Sequence, residues 1–233
     1  MSPRGSSLVR LCLLVTLMTS CSVALVAQQA TAASAPTVRF TKEQMAGPQR
    51  FVIEIDQAGN VQYQSWDTKE SEDPYTLSFR ASAETIRKIF EGARATNYFH
   101  GSFDFTGHPI ADQGKKTLAY SDSTRSNSTT YNWSENATIQ SLTETFESIS
   151  SVLESGLRIE TKRRFDPLGV DAELKIVEDA QQRGHAVELQ AIAPVLLKVA
   201  NDPQIMHIAR ERARKLLQAS RAAAIEVGGL QGN

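Results

Sequence analysis

The chain is 233 residues long, 41% hydrophobic, 22% charged and 7% aromatic, the balance of an ordinary soluble protein with one substantial core or two small ones. A formal charge of -1 leaves no global field and excludes binding to a polyanion by net charge alone. Both cysteines, Cys12 and Cys21, lie in an apolar N-terminal stretch, which excludes a disulfide-stapled fold and a cysteine-built zinc site elsewhere in the chain.

Arg4 and Arg10, the apolar run 11–27 and the small polar residues after it have the order of a secretory signal, expected over residues 1–27. Met18-Thr19-Ser20-Cys21 offers a second processing route that leaves a lipid on Cys21. The expected location is therefore outside the cytoplasm, periplasmic or secreted, with a membrane reached only through the signal region or that lipid. Residues 28–48 read as a flexible linker.

Phe51, Ile53 and Ile55 alternate with polar neighbours, turn at Ala58-Gly59-Asn60, and are answered by Val61, Tyr63 and Ser65, a hairpin with one buried face. Tyr75, Leu77 and Phe79 repeat the pattern after a polar loop. Ser82 caps a helix carrying Ile86, Ile89, Phe90 and Ala93 at helical spacing, which covers the sheet. Residues 97–113 lack either periodicity and read as an ordered loop. Strands follow near 117–121 and 128–133. From Asn136 a long helix shows the stripe Ile139, Leu142, Phe146, Ile149 and Leu153, with Gly156 as its stop. Strands with segregated helices predict an α+β fold, a small, mainly antiparallel sheet covered by two helices, over 49–157.

Residues 158–166 read as a linker around the basic Lys162-Arg163-Arg164. Acidic residues lead before it and basic ones after it. Beyond it the pattern is helix only, an all-α region of three helices over 167–221 with a flexible tail over 222–233. The first helix starts at Asp166-Pro167 or Asp171 and closes at Gly184, the second is kinked by Pro194, and the third is started by Asp202-Pro203.

His100, Asp104, His108 and Asp112 are four metal-ligand residue types at a constant spacing of four within the irregular loop, a candidate divalent-metal set without an established ligand spacing. Tyr98, Phe99, Phe103 and Phe105 are a candidate interaction surface. Gln113-Gly114-Lys115-Lys116-Thr117 fails as a phosphate-binding loop, because Pro109 stands where the first glycine is required. Glu70, Glu72 and Asp73 sit in a solvated connection and read as ordinary surface carboxylates. The basic sets 162–164 and 210–215 read as charged helix faces, and no nucleic-acid partner is expected. Asn127, Asn132 and Asn136 open glycosylation sequons that otherwise serve as strand-edge and cap residues.

Pro194, Leu196, Asp202, Ala209-Arg210, Ala213 and Leu216-Leu217 resemble a single HEAT-type repeat. Gly59-Asn60-Val61-Gln62-Tyr63, Ile89-Phe90, Tyr98-Phe99 and Asp112 resemble small exported bacterial domains of unknown function, a resemblance that transfers no catalytic residue. The expected function is that of an exported, non-enzymatic binding module whose partner is a protein or envelope component, with no cofactor implied. The competing class is an extracytoplasmic hydrolase or metal-dependent enzyme centred on His100 and His108.

Overall fold

The computed structural model describes residues 35–68 and 71–228, with side chains through Arg221. The segment expected as a signal peptide, the lipid route through Cys21, Glu70 of the acidic cluster and the end of the tail lie outside the described residues.

Six strands form one antiparallel sheet: β1 (Thr37–Glu43), β2 (Arg50–Asp56), β3 (Asn60–Trp66), β4 (Tyr75–Arg80), β5 (Lys115–Ser121) and β6 (Ser126–Tyr131). Their order is β4-β3-β2-β1-β5-β6. The stretch expected as a flexible linker thus supplies a central strand. Val38 and Phe40 of β1 are fully buried, and each β1 residue pairs with β2 on one side and β5 on the other. The hairpin face is as expected, with Phe51, Ile53, Ile55, Val61, Tyr63 and Ser65 buried.

Helix α1 (Ala83–Ala95) is capped by Ser82, whose hydroxyl accepts from the Thr85 N–H at 3.2 Å. Helix α2 (Ala137–Phe165) is capped by Asn136, whose side-chain oxygen accepts from Thr138 and Ile139. The five residues of its expected stripe are all buried. Gly156 does not stop it. A Cβ there would lie 2.5 Å from Ile192 Cγ2, so the glycine is needed for close approach of the next layer, and the expected linker 158–166 forms the last turns of α2 up to Phe165.

Helices α3 (Val170–Gln182), α4 (Ala193–Asn201) and α5 (His207–Gly228) follow. Pro194 sits in the first turn of α4, where a missing N–H costs nothing, so it begins a helix instead of kinking one; a 3-10 turn, Leu189–Ile192, precedes it. Asp202 is the C-cap of α4, and α5 starts at His207 and runs into the expected tail. One continuous apolar cluster runs from Val38 to Leu217, so the sheet and all the helices share a core and the two-part division does not hold.

Two polar ties fix α2 to its neighbours. On the sheet side, Glu154 is only 7% exposed and its Oε1 accepts from Tyr63 Oη at 2.7 Å and Ser65 Oγ at 2.6 Å. On the helical side, Glu160 Oε1 meets Arg164 at 2.7 Å, Arg163 at 3.2 Å and Lys198 of α4 at 3.5 Å, while Arg163 also reaches Asp202 at 3.0 Å.

The hydrogen bond from Arg163, with those from its neighbours, holds the Glu160 carboxyl down to about 2 from 4.5. A depressed carboxylate contributes its stability above its unfolded value and loses it as pH falls toward the folded one. Urea midpoints measured between pH 4.5 and about 2 are therefore expected to fall more steeply for the wild type than for Glu160→Gln; parallel profiles would remove the network from the account. Gly156→Ala is expected to cost about 1–3 kcal/mol through overpacking, more than the ~1 kcal/mol that alanine contributes to a helix interior. Adding Ile192→Ala relieves the clash, so the double variant loses less than the two single losses combined; additive losses would refute the close contact.

Candidate functional site

The loop that carries the predicted metal ligands is extended and turning, not helical, so side chains four apart do not share a face. Asp104 Oδ1 accepts from the Asn132 N–H at 2.9 Å, and Asp112 Oδ1 from the Gly114 N–H at 2.8 Å. Asp112 thus caps its own turn, whereas Asp104 ties the loop to the chain leaving β6. His108 places Nδ1 3.3 Å from the Pro109 carbonyl and its ring edge-on to Phe105, and His100 is exposed. Among the described residues, no three His, Cys, Asp or Glu side chains come together to hold a metal ion, so the expected set is not assembled.

The aromatic set divides. Phe99 is fully buried and belongs to the core, which corrects its expected place at a surface. Tyr98 lies 4.6 Å from Tyr120, ring centre to ring centre. Phe103 is half-buried against the core, and Phe105 packs edge-on to Trp133 at 5.2 Å. The Phe105 N–H also donates to the Trp133 carbonyl at 2.9 Å, which anchors the loop to the chain leaving β6.

Beneath this loop lies a polar cavity of about 200 Å³, lined by residues that include Lys42, Lys116, Tyr131, Trp133, Thr143 and Glu147. Strand alternation puts Lys42 and Lys116 on the inner face, and the register sets them directly opposite each other on β1 and β5. Two facing cations are destabilising unless each is compensated. Lys42 Nζ meets Glu147 of α2 at 2.7 Å. Lys116, 4% exposed, donates to the carbonyls of Asn132 at 2.7 Å, Gln113 at 3.1 Å and Gly114 at 3.4 Å. These three acceptors match the three protons of an ammonium. Burial is the largest influence and draws the ammonium below the usual lysine range; Lys42 adds to this, while Glu147 and Asp112 oppose it. Tyr131 shares a 2.5 Å hydrogen bond with Thr143, and burial raises its phenol well above the ordinary value.

Lys42 is not among the residues the sequence singles out, because 28–48 reads as linker, although Val38, Phe40 and Lys42 alternate in step. Lys116 stands out in the sequence only through the failed phosphate loop. Gly114 explains the turn there, with φ +88° and a would-be Cβ only 2.7 Å from the Glu43 carbonyl.

A larger cleft, about 910 Å³, lies between the β2–β3 turn, the start of α1 and the segment 184–190. Glu188, 5% exposed, lies at the N-terminus of α1, where it accepts from Ser82 Oγ at 2.8 Å and from the Ser82 N–H at 3.1 Å, and also from Gln190; a negative charge there suits the helix dipole. His185 is exposed in the loop just before, and the exposed His207 faces Glu211 at 3.6 Å.

Lys116→Met is expected to leave three carbonyls without their donor and to lower stability by about 1–3 kcal/mol. Amide exchange at Phe105 should accelerate alongside, because the loop loses its pin; unchanged exchange would confine Lys116 to local packing. Comparison of the chain with protein-family models finds no match, and comparisons with curated proteins and with solved structures find none either.

Proposed function

We propose that the chain is an exported, non-enzymatic binding module of the cell envelope that takes a protein or another envelope component on the surface formed by the loop after α1. The observation that carries this reading is the way the loop is held. Asp104, Asp112, the Phe105 N–H and Lys116 each spend their polar groups on backbone, so Phe103, Phe105 and Trp133 are presented half-buried on an ordered support. A cleft of about 380 Å³ between 102–107 and 134–136 adjoins them. Aromatic anchors on a preordered surface bind without a large ordering cost, which is the property a recognition site needs.

Lys42, Lys116 and Glu147 of the cavity beneath are matched internally, which supports recognition over chemistry. Export rests on Arg4, Arg10 and the apolar run 11–27, with Cys21 as the lipid-bearing alternative. Among the described residues, no helix is long and apolar enough to cross a membrane. The likeness to exported bacterial domains of unknown function, and of α4 with α5 to a single HEAT-type repeat, belongs to the same reading, in which the hairpin is a docked element and not a solenoid.

The test is capture from the native envelope fraction with the wild type beside Phe105→Ala and Trp133→Ala. A partner held by the wild type is expected to fall by at least about tenfold in either variant, which is ~1.4 kcal/mol of binding, with the far-ultraviolet circular dichroism unchanged. Equal capture by folded variants would overturn the assignment of this surface.

A further inference from the structure

Every strand of the sheet has a neighbour on both sides except β4 and β6, its two edges. Just beyond β6 the chain is tied to the loop after α1, through the Asn132 N–H to Asp104 and the Trp133 carbonyl to the Phe105 N–H. Strand β4 pairs with β3 from Tyr75 to Arg80 without a bulge, and among the described residues no backbone bond is made on its other side.

One hydrogen bond fixes which groups of β4 face that open side. The Ala81 N–H donates to the Gly59 carbonyl at 2.8 Å, so by the alternation of an antiparallel ladder Tyr75, Leu77 and Phe79 direct their N–H and C=O groups to β3. Those of Thr76, Ser78 and Arg80 point away from the sheet. Side chains alternate too: Tyr75, Leu77 and Phe79 are half-buried at the rim of the core, while Thr76, Ser78 and Arg80 are exposed. Protein edges are ordinarily blunted by brevity, a bulge, proline or charge. Strand β4 has six residues, an ordinary length, and its one charge, Arg80, stands at its end.

We propose that this edge is the interface to a second copy of the chain, the two β4 strands pairing antiparallel about a twofold axis at Leu77. The register keeps the half-buried rows of both copies on one face. It sets Leu77 opposite Leu77 of the second copy, Tyr75 opposite Phe79, Thr76 opposite Ser78 and Arg80 opposite Pro74. Thr76 and Ser78 exchange both backbone bonds in each half, and Arg80 donates to the carbonyl of Pro74, whose missing N–H ends the ladder. The aromatic pairs fall at non-hydrogen-bonded positions, where cross-strand side chains come closest.

Charge favours this register over its neighbours. The exposed Arg80 of each copy comes alongside the exposed Glu72 and Asp73 of the other, and among the described residues none of the three has an ion pair within its own chain. The contact is isologous and joins two six-stranded sheets into one. It leaves the loop after α1, near the opposite edge, free on both copies.

The purified full chain is followed by sedimentation over a concentration series, and an equilibrium between monomer and dimer is expected. Ser78→Pro removes an N–H that only the second copy uses, and Arg80→Glu sets acid against acid. Each is expected to raise the dimer dissociation constant by at least about tenfold with circular dichroism unchanged; Arg80→Glu, at the surface, decides alone should the proline disturb the strand. Adding Asp73→Arg to Arg80→Glu restores most of the dimer. No contact within one chain supplies that rescue, because the two positions lie about 20 Å apart at opposite ends of an extended strand. Amide exchange reads the edge itself: Thr76, Ser78 and Arg80 are protected in the dimer and exchange freely on dilution, whereas Leu77 and Phe79 stay protected throughout. A chain that remains monomeric, a dimer indifferent to Arg80→Glu, or one that the charge swap does not recover overturns the proposal. So does a monomer whose Thr76 and Ser78 amides gain protection only with envelope extract, which gives the edge to another protein's strand.

Discussion

The fold depends on one helix being buried on opposite sides. Helix α2 has 29 residues, about 43 Å at the usual rise. The sheet covers one side of it, where Phe146 stacks on Phe40 at 5.0 Å with the rings nearly parallel. The layer of α3, α4 and α5 covers the other, where Gly156 admits Ile192. A helix with two buried sides has little surface left for charge. Three of its four carboxylates are matched individually, Glu147 to Lys42, Glu154 to two hydroxyls and Glu160 to three cations, and the fourth, Glu144, is exposed. Glu154 is a buried carboxylate met by neutral donors, and burial, with the Glu154 charge adding to it, raises the phenols of Tyr63 and Tyr75.

The same helix explains what the sequence made legible and what it did not. Ile139, Leu142, Phe146, Ile149 and Leu153 announced the sheet-facing stripe because that side is apolar. The opposite side is built partly from Thr145, Ser155 and Gly156, all buried, and small polar residues carry no hydrophobic period. Gly156 therefore looked like an end. The paired error, taking 158–166 for a linker, came from basic residues that serve ion pairs with the neighbouring helices and with the end of α2 itself. The hairpin and both helix caps were readable because each rests on local chemistry. Strand β1 was not recognised, since its two inward apolar residues are followed inward by Lys42, whose burial depends on a carboxylate 105 positions away.

The chemistry of the loop after α1 was misread. The loop after α1 was singled out for its histidines, aspartates and aromatic residues, and the structure gives those aspartates to backbone N–H groups and Phe99 to the core. Constant spacing in sequence carries ligand geometry only on a regular element, and this segment has none. The left-handed run at Asn97, Tyr98 and Phe99 before it had a sequence signal only at Asn97, because neither Tyr98 nor Phe99 favours positive φ; tertiary packing holds those two. The polar groups around the loop form an ordered scaffold, and the side chains left over on its surface include the rings of Phe103, Phe105 and Trp133.

The central position of β1 also bears on how the chain comes to be folded as it is delivered. It is the earliest described element along the sequence, and one of its edges is completed promptly by β2. The other edge waits for β5, whose partner to Thr37 is Ser121. Until that stretch has emerged, β1 offers a row of unpaired amide groups to any passing strand, the hazard an incomplete sheet poses during synthesis or transport. Arg39, Lys42 and Glu43 put charge along that waiting edge. Lys42 thus serves at two stages, first as a deterrent to wrong partners and later, paired with Glu147 and set opposite a Lys116 that is held by three carbonyls, in the clasp that closes the correct one.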